Sequence, residues 1–273
     1  MQETSLFVSA FKSRLETGDR PYRVLANDGK HYLIKHYVEF PAHREKLAFE
    51  YFAARLAFEL GVPVPPVKLL SFNAAAFADV IGGSGRFFPQ KVLGYEWVPI
   101  KWDVTDIDSG VRELILKESS HPSDILEIGI FDTWLNNTDR IPTNLNLIFN
   151  GKRLLGIDFG AVFDQDYNQR LVKEENLSNF FQPHDKDAHI FGSQLFYALF
   201  KQHSTLFRSE ARAIATRIES VREDLIDSIQ SEIPAEWEQS EERKTLRKAY
   251  LLHRKDKLKS VVQDLLDLTR YEP

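Results

Sequence analysis

Asp139 and Asn144 stand five residues apart, and Asp158 follows fourteen residues after Asn144. Between the asparagine and the second acid lie two short apolar runs, Leu145–Phe149 and Arg153–Ile157, joined by Asn150-Gly151. That dipeptide favours the positive φ of a tight hairpin turn, so the spacing predicts a β-hairpin whose two ends lie side by side. No other stretch constrains the chain as much, because here a gap in sequence becomes a neighbourhood in space. Asp158 sits in GIDFGAVF (156–163), an acid at the end of what reads as a buried strand. Asp and Gly are ordinary turn residues; Gly160 is expected to supply the turn and Ile157 to pack as a strand residue. The same residue types also have a use in phosphoryl transfer. A first Asp accepts or orients the proton of the attacking hydroxyl, while an Asn and a second Asp hold Mg²⁺ against the phosphates. Magnesium takes few protein oxygens and keeps phosphate and water ligands, which suits one Asp and one Asn.

The flanking sequence divides into two kinds. Tyr22–Ala26 and His31–Tyr37 are aromatic and β-branched runs about Asn27-Asp28-Gly29-Lys30, which predicts a second hairpin. REKLAFEYFAARLAFELG (44–61) places Leu47, Tyr51, Ala54 and Phe58 on one helical face, with Gly61 and Pro63 to stop it. Val62-Pro63-Val64-Pro65-Pro66 reads as an extended connector. Val67–Phe72 and Arg86–Val98 read as strands, with Gly82-Gly83-Ser84-Gly85 as a turn between them. From about residue 100 the pattern turns helical. Ser123 is expected to cap DILEIGIFDTWLNN, whose Ile125, Ile128, Phe131 and Leu135 face inward. Phe131 and Trp134 read as core, and Asp132 as an acid that holds Asn136 or Arg140 in place. The basic run Arg243-Lys244, Arg247-Lys248 and Arg254-Lys255-Asp256-Lys257 falls at helical spacing. It reads as a solvated face, with a partner or substrate dock as the alternative. The expected class is α+β and bilobal: a small strand-rich N-lobe over residues 1–98 and a larger helical C-lobe over 99–273.

Composition removes several other chemistries. The chain has no cysteine, which excludes a disulfide framework, a Cys-based zinc site and a Cys nucleophile. Its eight histidines lack metal-ligand spacing, and no G-x-S-x-G occurs. The net charge of −5 gives no global pull toward nucleic acid or an anionic membrane. No apolar run approaches the roughly 20 residues of a membrane span. The first residues, MQETSLFVSAFKSRLETGDR, carry no long apolar core of a signal peptide. A soluble, cytoplasmic protein is expected, with neither membrane nor direct nucleic-acid partners.

A nucleotide site also needs a cation on the phosphates. Lys35, ending Tyr32-Leu33-Ile34-Lys35, is the candidate, and Glu50 in the 44–61 helix is the carboxylate that would pair with it. Strand Lys35, helix Glu50, Asp139-x4-Asn144 and Ile157-Asp158-Phe159-Gly160 together resemble the protein-kinase-like superfamily. In detail, Trp134–Arg140 with Asn144, and the Leu47–Pro66 segment, resemble the HipA-like kinases. The Asp-Arg loop followed by Ile-Asp-Phe-Gly is similar to that of the phosphoinositide kinases. The likeness covers about residues 18–165. It departs from the pattern in lacking His-Arg-Asp and G-x-G-x-x-G, and Ile141 stands where these relatives often have His. The resemblance implies an ATP- and Mg²⁺-dependent kinase acting on a hydroxyl, foremost a protein Ser or Thr. It implies Lys35 on the α/β-phosphates, Glu50 orienting Lys35, Asp139 as base, and Asn144 and Asp158 on the metal. The turn Glu16–Pro21, with Gly18 and Arg20, would cover the phosphates. Adenine would lie against the Gln90–Val98 strand near Glu96, Trp97 and Val98. Analogy adds Ser13 and Thr17 as autophosphorylation sites, and an antitoxin-type partner. The alternatives are a small-molecule or phosphoinositide kinase, and a nucleotide-binding pseudokinase acting as a partner-binding module. Retention of all three metal-loop residues argues against the last.

Overall fold

Tyr22, Val24 and Ala26 along β2 (Tyr22–Ala26) bury the same face as Tyr32 and Ile34 along β3 (His31–Lys35). The two strands form the predicted hairpin, with Gly29 at φ 80° making the turn. The computed structural model describes residues 5–15, 21–35, 44–81, 90–99, 102–104, 109–163, 189–237 and 240–268. The predicted turns Glu16–Arg20 and Gly82–Gly85, and Thr17, therefore lie outside the described residues. The hairpin belongs to an antiparallel sheet of order β1-β2-β3-β5-β4, with β1 Val8–Arg14, β4 Val67–Ser71 and β5 Lys91–Glu96. β1 carries Ser13 and shifts register twice against β2, so its side chains do not alternate. Before β1, Phe7 bridges Ser71 of β4, whose N–H donates to the Leu6 carbonyl at 2.8 Å. The sheet thereby curls round a core of Val24, Tyr32, Ile34, Leu70 and Val92. Gly94 in β5 is needed there, because a Cβ would come within 2.2 Å of Leu70 Cδ1.

α1 (Arg44–Glu59) packs outside this sheet and ends at Gly61, φ 69°. Leu47, Tyr51 and Ala54 are buried as the periodicity predicts, but so are Phe49, Phe52 and Leu56. The helix is covered on more than one side, and Phe58, in its last turn, is the exposed member of the predicted face.

The remainder is helical apart from a small antiparallel sheet of β6 (Trp102–Asp103), β7 (Leu147–Phe149) and β8 (Leu154–Gly156). β7 and β8 are the predicted Asn150-Gly151 hairpin. Following the short α2 (Ala78–Ile81) and α3 (Ser109–Glu118) comes α4 (Asp124–Leu135), buried at every position. Ser123 does precede α4, but it has helical backbone angles (φ −76°, ψ −8°) and its side chain makes no cap bond. An N-cap hydroxyl reaches the helix amides from extended backbone, which Ser123 lacks. Asp124 instead accepts from Arg153 and from the Leu154 N–H, pinning α4 to the hairpin. α5 (Gln194–Glu219), α6 (Glu223–Glu232), α7 (Glu241–Lys255) and α8 (Leu258–Leu268) complete the chain. One continuous core runs from α1 through α4 to these helices. The fold is α+β, an antiparallel sheet first and helices after it.

The C-terminal basic run is only partly a solvated face. Arg254 is fully buried and donates to the carbonyls of Trp134 (2.8 Å) and Thr133 (2.5 Å), the last turn of α4. A cation at a helix C-terminus meets orphan carbonyls and the negative end of the dipole. Arg247 is buried as well. Among the described residues no helix is long and apolar enough to cross a membrane.

Candidate active site

Lys35 is the last residue of β3 and turns away from the inner core of the sheet, toward α1. Its Nζ lies 2.8 Å from Glu50 Oε1 and 3.0 Å from Asp158 Oδ1. Three residues from a strand, a helix and the loop after β8 thus meet at one ammonium. Glu50 is fully buried, and Tyr95 of β5 donates its hydroxyl to Oε1 at 3.0 Å. Burial pushes the Glu50 carboxyl up to about 7, a rise that Asp158 adds to and that Lys35 and the Tyr95 hydrogen bond oppose. Asp158 goes the other way. Burial works to raise it, but the Lys35 ammonium, then Arg140 and the Gly160 N–H, hold it below the usual carboxylate range.

Asp139 lies on irregular backbone after α4. The helix ends at Asn136 in the left-handed region, φ 56°, and the Asn137 side chain donates to Asp132 Oδ1 at 2.9 Å. Asp132 thus holds Asn136 through its backbone carbonyl, which accepts the Asn136 N–H, and with its side chain it holds Asn137 and, as expected, Arg140, accepting from the Arg140 Nε at 2.5 Å. Arg140 is fully buried and donates further to the carbonyls of Leu145 (2.9 Å), Asn146 (2.5 Å) and Ile157 (2.9 Å). Its guanidinium lies 4.9 Å from the centre of the Phe159 ring. One arginine thus clasps the Asp139 loop to the residue before Asp158. Asn146, also left-handed at φ 46°, donates to Asp139 Oδ2 at 3.0 Å. Asn144 donates its Nδ2 to the Asp139 carbonyl at 3.1 Å, which leaves Oδ1 as the acceptor end of that amide. In GIDFGAVF the left-handed residues are Asp158 itself, φ 59°, and Phe163, φ 58°, rather than Gly160. Asp tolerates that region because its short polar side chain bonds locally.

The oxygens of Asn144 and Asp158 are hard donors of the kind a magnesium ion takes. No group of three or more His, Asp or Glu able to hold a metal occurs among the described residues. A metal here would therefore need further oxygens from a phosphate or water. Along the strand expected to meet adenine, the Glu96 side chain is engaged by Lys30 at 2.8 Å. The Glu96 N–H donates to the Pro66 carbonyl (2.7 Å) and the Trp97 N–H to the His31 carbonyl (2.8 Å). Val98 follows, half-buried, and Arg23 of β2 stacks on Trp97, 4.5 Å from the ring centre. Gly18 and Arg20 lie outside the described residues.

The sequence does not mark Arg140, Asn146 or Tyr95 as site residues. Their targets are backbone carbonyls and carboxylates on other elements, which spacing does not reveal. The Asp-Arg pair shared with the phosphoinositide kinases was the available signal for Arg140.

A family model described as HipA-like kinase matches residues 8–265 of the chain. Among solved structures, the Helicobacter pylori proinflammatory kinase CtkA is similar, with a TM-score of 0.52 at 16% identity. That match covers 96% of this chain and 95% of CtkA, and at such identity it speaks for the fold. A chain of the Shewanella oneidensis toxin–antitoxin complex of HipA, HipB and operator DNA aligns with a TM-score of 0.46 and 13% identity. It covers 98% of this chain and 75% of that one. No curated protein matches.

Proposed function

The chain belongs to the HipA-like kinase family, and from that premise we propose that it transfers the γ-phosphate of ATP, with Mg²⁺, to the hydroxyl of a protein Ser or Thr. The observation that carries this reading is the shared ammonium: Lys35 Nζ at 2.8 Å from Glu50 and 3.0 Å from Asp158. A lysine between a helix carboxylate and a metal-loop carboxylate is what phosphate alignment requires.

In this reading Glu50 fixes the direction of Lys35, and Lys35 lays its charge on the α/β-phosphates. Asp139 accepts the hydroxyl proton. Its Oδ2 is held by Asn146, so Oδ1 is the oxygen that meets the acceptor. Asn144 and Asp158 would hold the metal, which when bound supplies charge against that of the phosphates. Arg140 touches no substrate and keeps the Asp139 and Asp158 loops in register. At the hinge, the N–H groups of Glu96 and Trp97 are committed, and Pro66 has no N–H to offer the Glu96 carbonyl. Among the described residues, that carbonyl and the Val98 N–H are offered to adenine, and Gly18 and Arg20 would lie over the phosphates.

The test is label transfer from γ-labelled ATP to a generic protein acceptor such as myelin basic protein, beside thermal shift with ATP and Mg²⁺. Asp139→Ala and Asp158→Ala should each lower transfer by about 10³-fold or more, and Asp158→Ala should also remove the Mg²⁺-dependent part of the ATP stabilisation. Full activity in either variant overturns its assigned role. Stabilisation by ATP with no label moved by wild type would make the chain a nucleotide-binding module instead.

A further inference from the structure

The C-terminal helices reach back onto the very elements that deliver Glu50. After α6, the Glu236 carboxylate accepts the N–H groups of Gln90 (3.1 Å) and Lys91 (2.8 Å), where β5 begins. Trp237, buried, donates Nε1 to the Lys91 carbonyl at 3.1 Å and sets its ring edge-on to Tyr51 of α1, 6.4 Å between centres. The Tyr51 hydroxyl donates to Glu232 of α6 at 2.5 Å, and Arg55 donates to the same carboxylate at 3.2 Å. From α7, Arg243 pairs with Glu45 in the first turn of α1. Arg247 lies over the rings of Phe49 (5.8 Å) and Phe52 (4.9 Å) while donating to Gln230. Glu45, Phe49, Tyr51, Phe52 and Arg55 bracket Glu50 on both sides. β5, held by the same segment, carries Tyr95, the other partner of Glu50.

We propose that Gln230–Trp237 and α7 act as a positioning clamp, binding α1 and β5 into one unit so that Glu50 stays against Lys35 without help from a second protein. The inference rests on the kinase reading of Lys35 and Glu50. The physical need is plain. A fully buried carboxylate loses its hydration, and an ion pair recovers that loss only in good geometry. The Lys35–Glu50 pair is thus a poor anchor for its own helix, and packing from outside must hold α1 in place. In kinases the placement of this helix is a control point; here the chain supplies the support itself, through aromatic and arginine contacts.

The test uses the full chain carrying Trp237→Ala, Arg243→Glu, Glu45→Arg, or the last two together, with Asp158→Ala as control. The readouts are kcat and KM for ATP in label transfer to myelin basic protein, and hydrogen exchange at α1 amides. Trp237→Ala and Arg243→Glu should lower kcat by about 10- to 100-fold, the cost of a misplaced catalytic group. KM for ATP should stay within about threefold, because the groups that read adenine lie at the end of β5 opposite to Gln90 and Lys91, where the clamp takes hold. Exchange in α1 should accelerate, and the double charge reversal should restore kcat. Unchanged kcat in both variants overturns the clamp, as does a charge reversal that leaves kcat low. Equal losses in kcat and affinity, tracking a lower Tm, also overturn it in favour of simple destabilisation. If Trp237→Ala does not fold, the charge-reversal pair decides. No transfer by wild type refutes the kinase reading itself, whereas transfer that Asp158→Ala abolishes, with wild-type kcat in the clamp variants, refutes the clamp alone.

Discussion

Lys35 and Glu50 sit on a regular strand and a regular helix, whereas Asp139, Asn144 and Asp158 sit on backbone that belongs to neither. The first pair is placed by packing: β3 lies in the interior of its sheet, and α1 is covered by helices from the other end of the chain. The second group is placed by polar contacts. Asn136, Asn146 and Asp158 all adopt left-handed backbone, and a single buried arginine ties their loops together through three carbonyls. Packing is spread over many contacts, so losing one displaces the helix a little, enough to cost rate but not the fold. A hub of charge-assisted hydrogen bonds has one point of failure. The two halves should therefore respond differently to small chemical changes.

The largest effect should come from breaking the hub. Arg140→Met strands the buried Asp132 carboxylate and the three carbonyls, and should cost about 3–5 kcal/mol of stability with loss of transfer. Denaturant unfolding and label transfer check both. Adding Asp132→Leu should recover part of the stability and none of the activity. An active Arg140→Met chain would mean that the loops hold their places unaided, and the contrast would fail.

Glu50→Gln should sharpen the contrast by separating activity from stability. At pH 8 it should lower kcat by about 10- to 100-fold without lowering Tm. The folded Glu50 value, about 7, lies above its ordinary 4.5, so the folded chain binds an extra proton between them. With respect to this group, stability is greatest below the ordinary value and is lost as pH rises through about 7. The Tm advantage of Gln over Glu should accordingly grow between pH 6 and pH 8 by a few degrees. Wild-type activity should fall as pH drops through 7, while Glu50→Gln should lack that limb. A constant Tm difference would overturn the burial account of Glu50.

The smallest effect concerns Asn146. Gly and Ala should both release Asp139 Oδ2 and cost about tenfold in kcat. Ala should cost about 1 kcal/mol more stability than Gly, because only Gly is free of strain at φ 46°. Equal stabilities would show that the left-handed backbone carries no strain.

The same contrast governs what could be read before the fold was seen. Hairpins announced by Asn-Gly and Asp-Gly, the helix ending at Gly61, and the gathering of Lys35, Glu50 and Asp158 follow from short-range patterns and their order. β1 escaped notice because its register shifts erase the alternation that marks a strand. The burial of Arg247 and Arg254 escaped because a basic residue at helical spacing looks the same whether it meets water or an aromatic ring. Asn146 and the left-handed Asp158 escaped because backbone conformation in an irregular loop is set by partners elsewhere. Periodicity places Phe58 inward, but it carries no information on where a helix outruns its neighbours.

Val62–Pro66 runs from α1 to β4, and three of its five residues are prolines. Its carbonyls receive the Gly156 N–H at Pro63 (2.9 Å) and the Glu96 N–H at Pro66 (2.7 Å). A segment with three fixed φ angles neither stretches nor coils easily, so mechanically it is a strut spliced to both the metal-loop hairpin and the hinge strand. The strut thereby sets the spacing between Gly156, two residues before Asp158, and Glu96 at the end of β5.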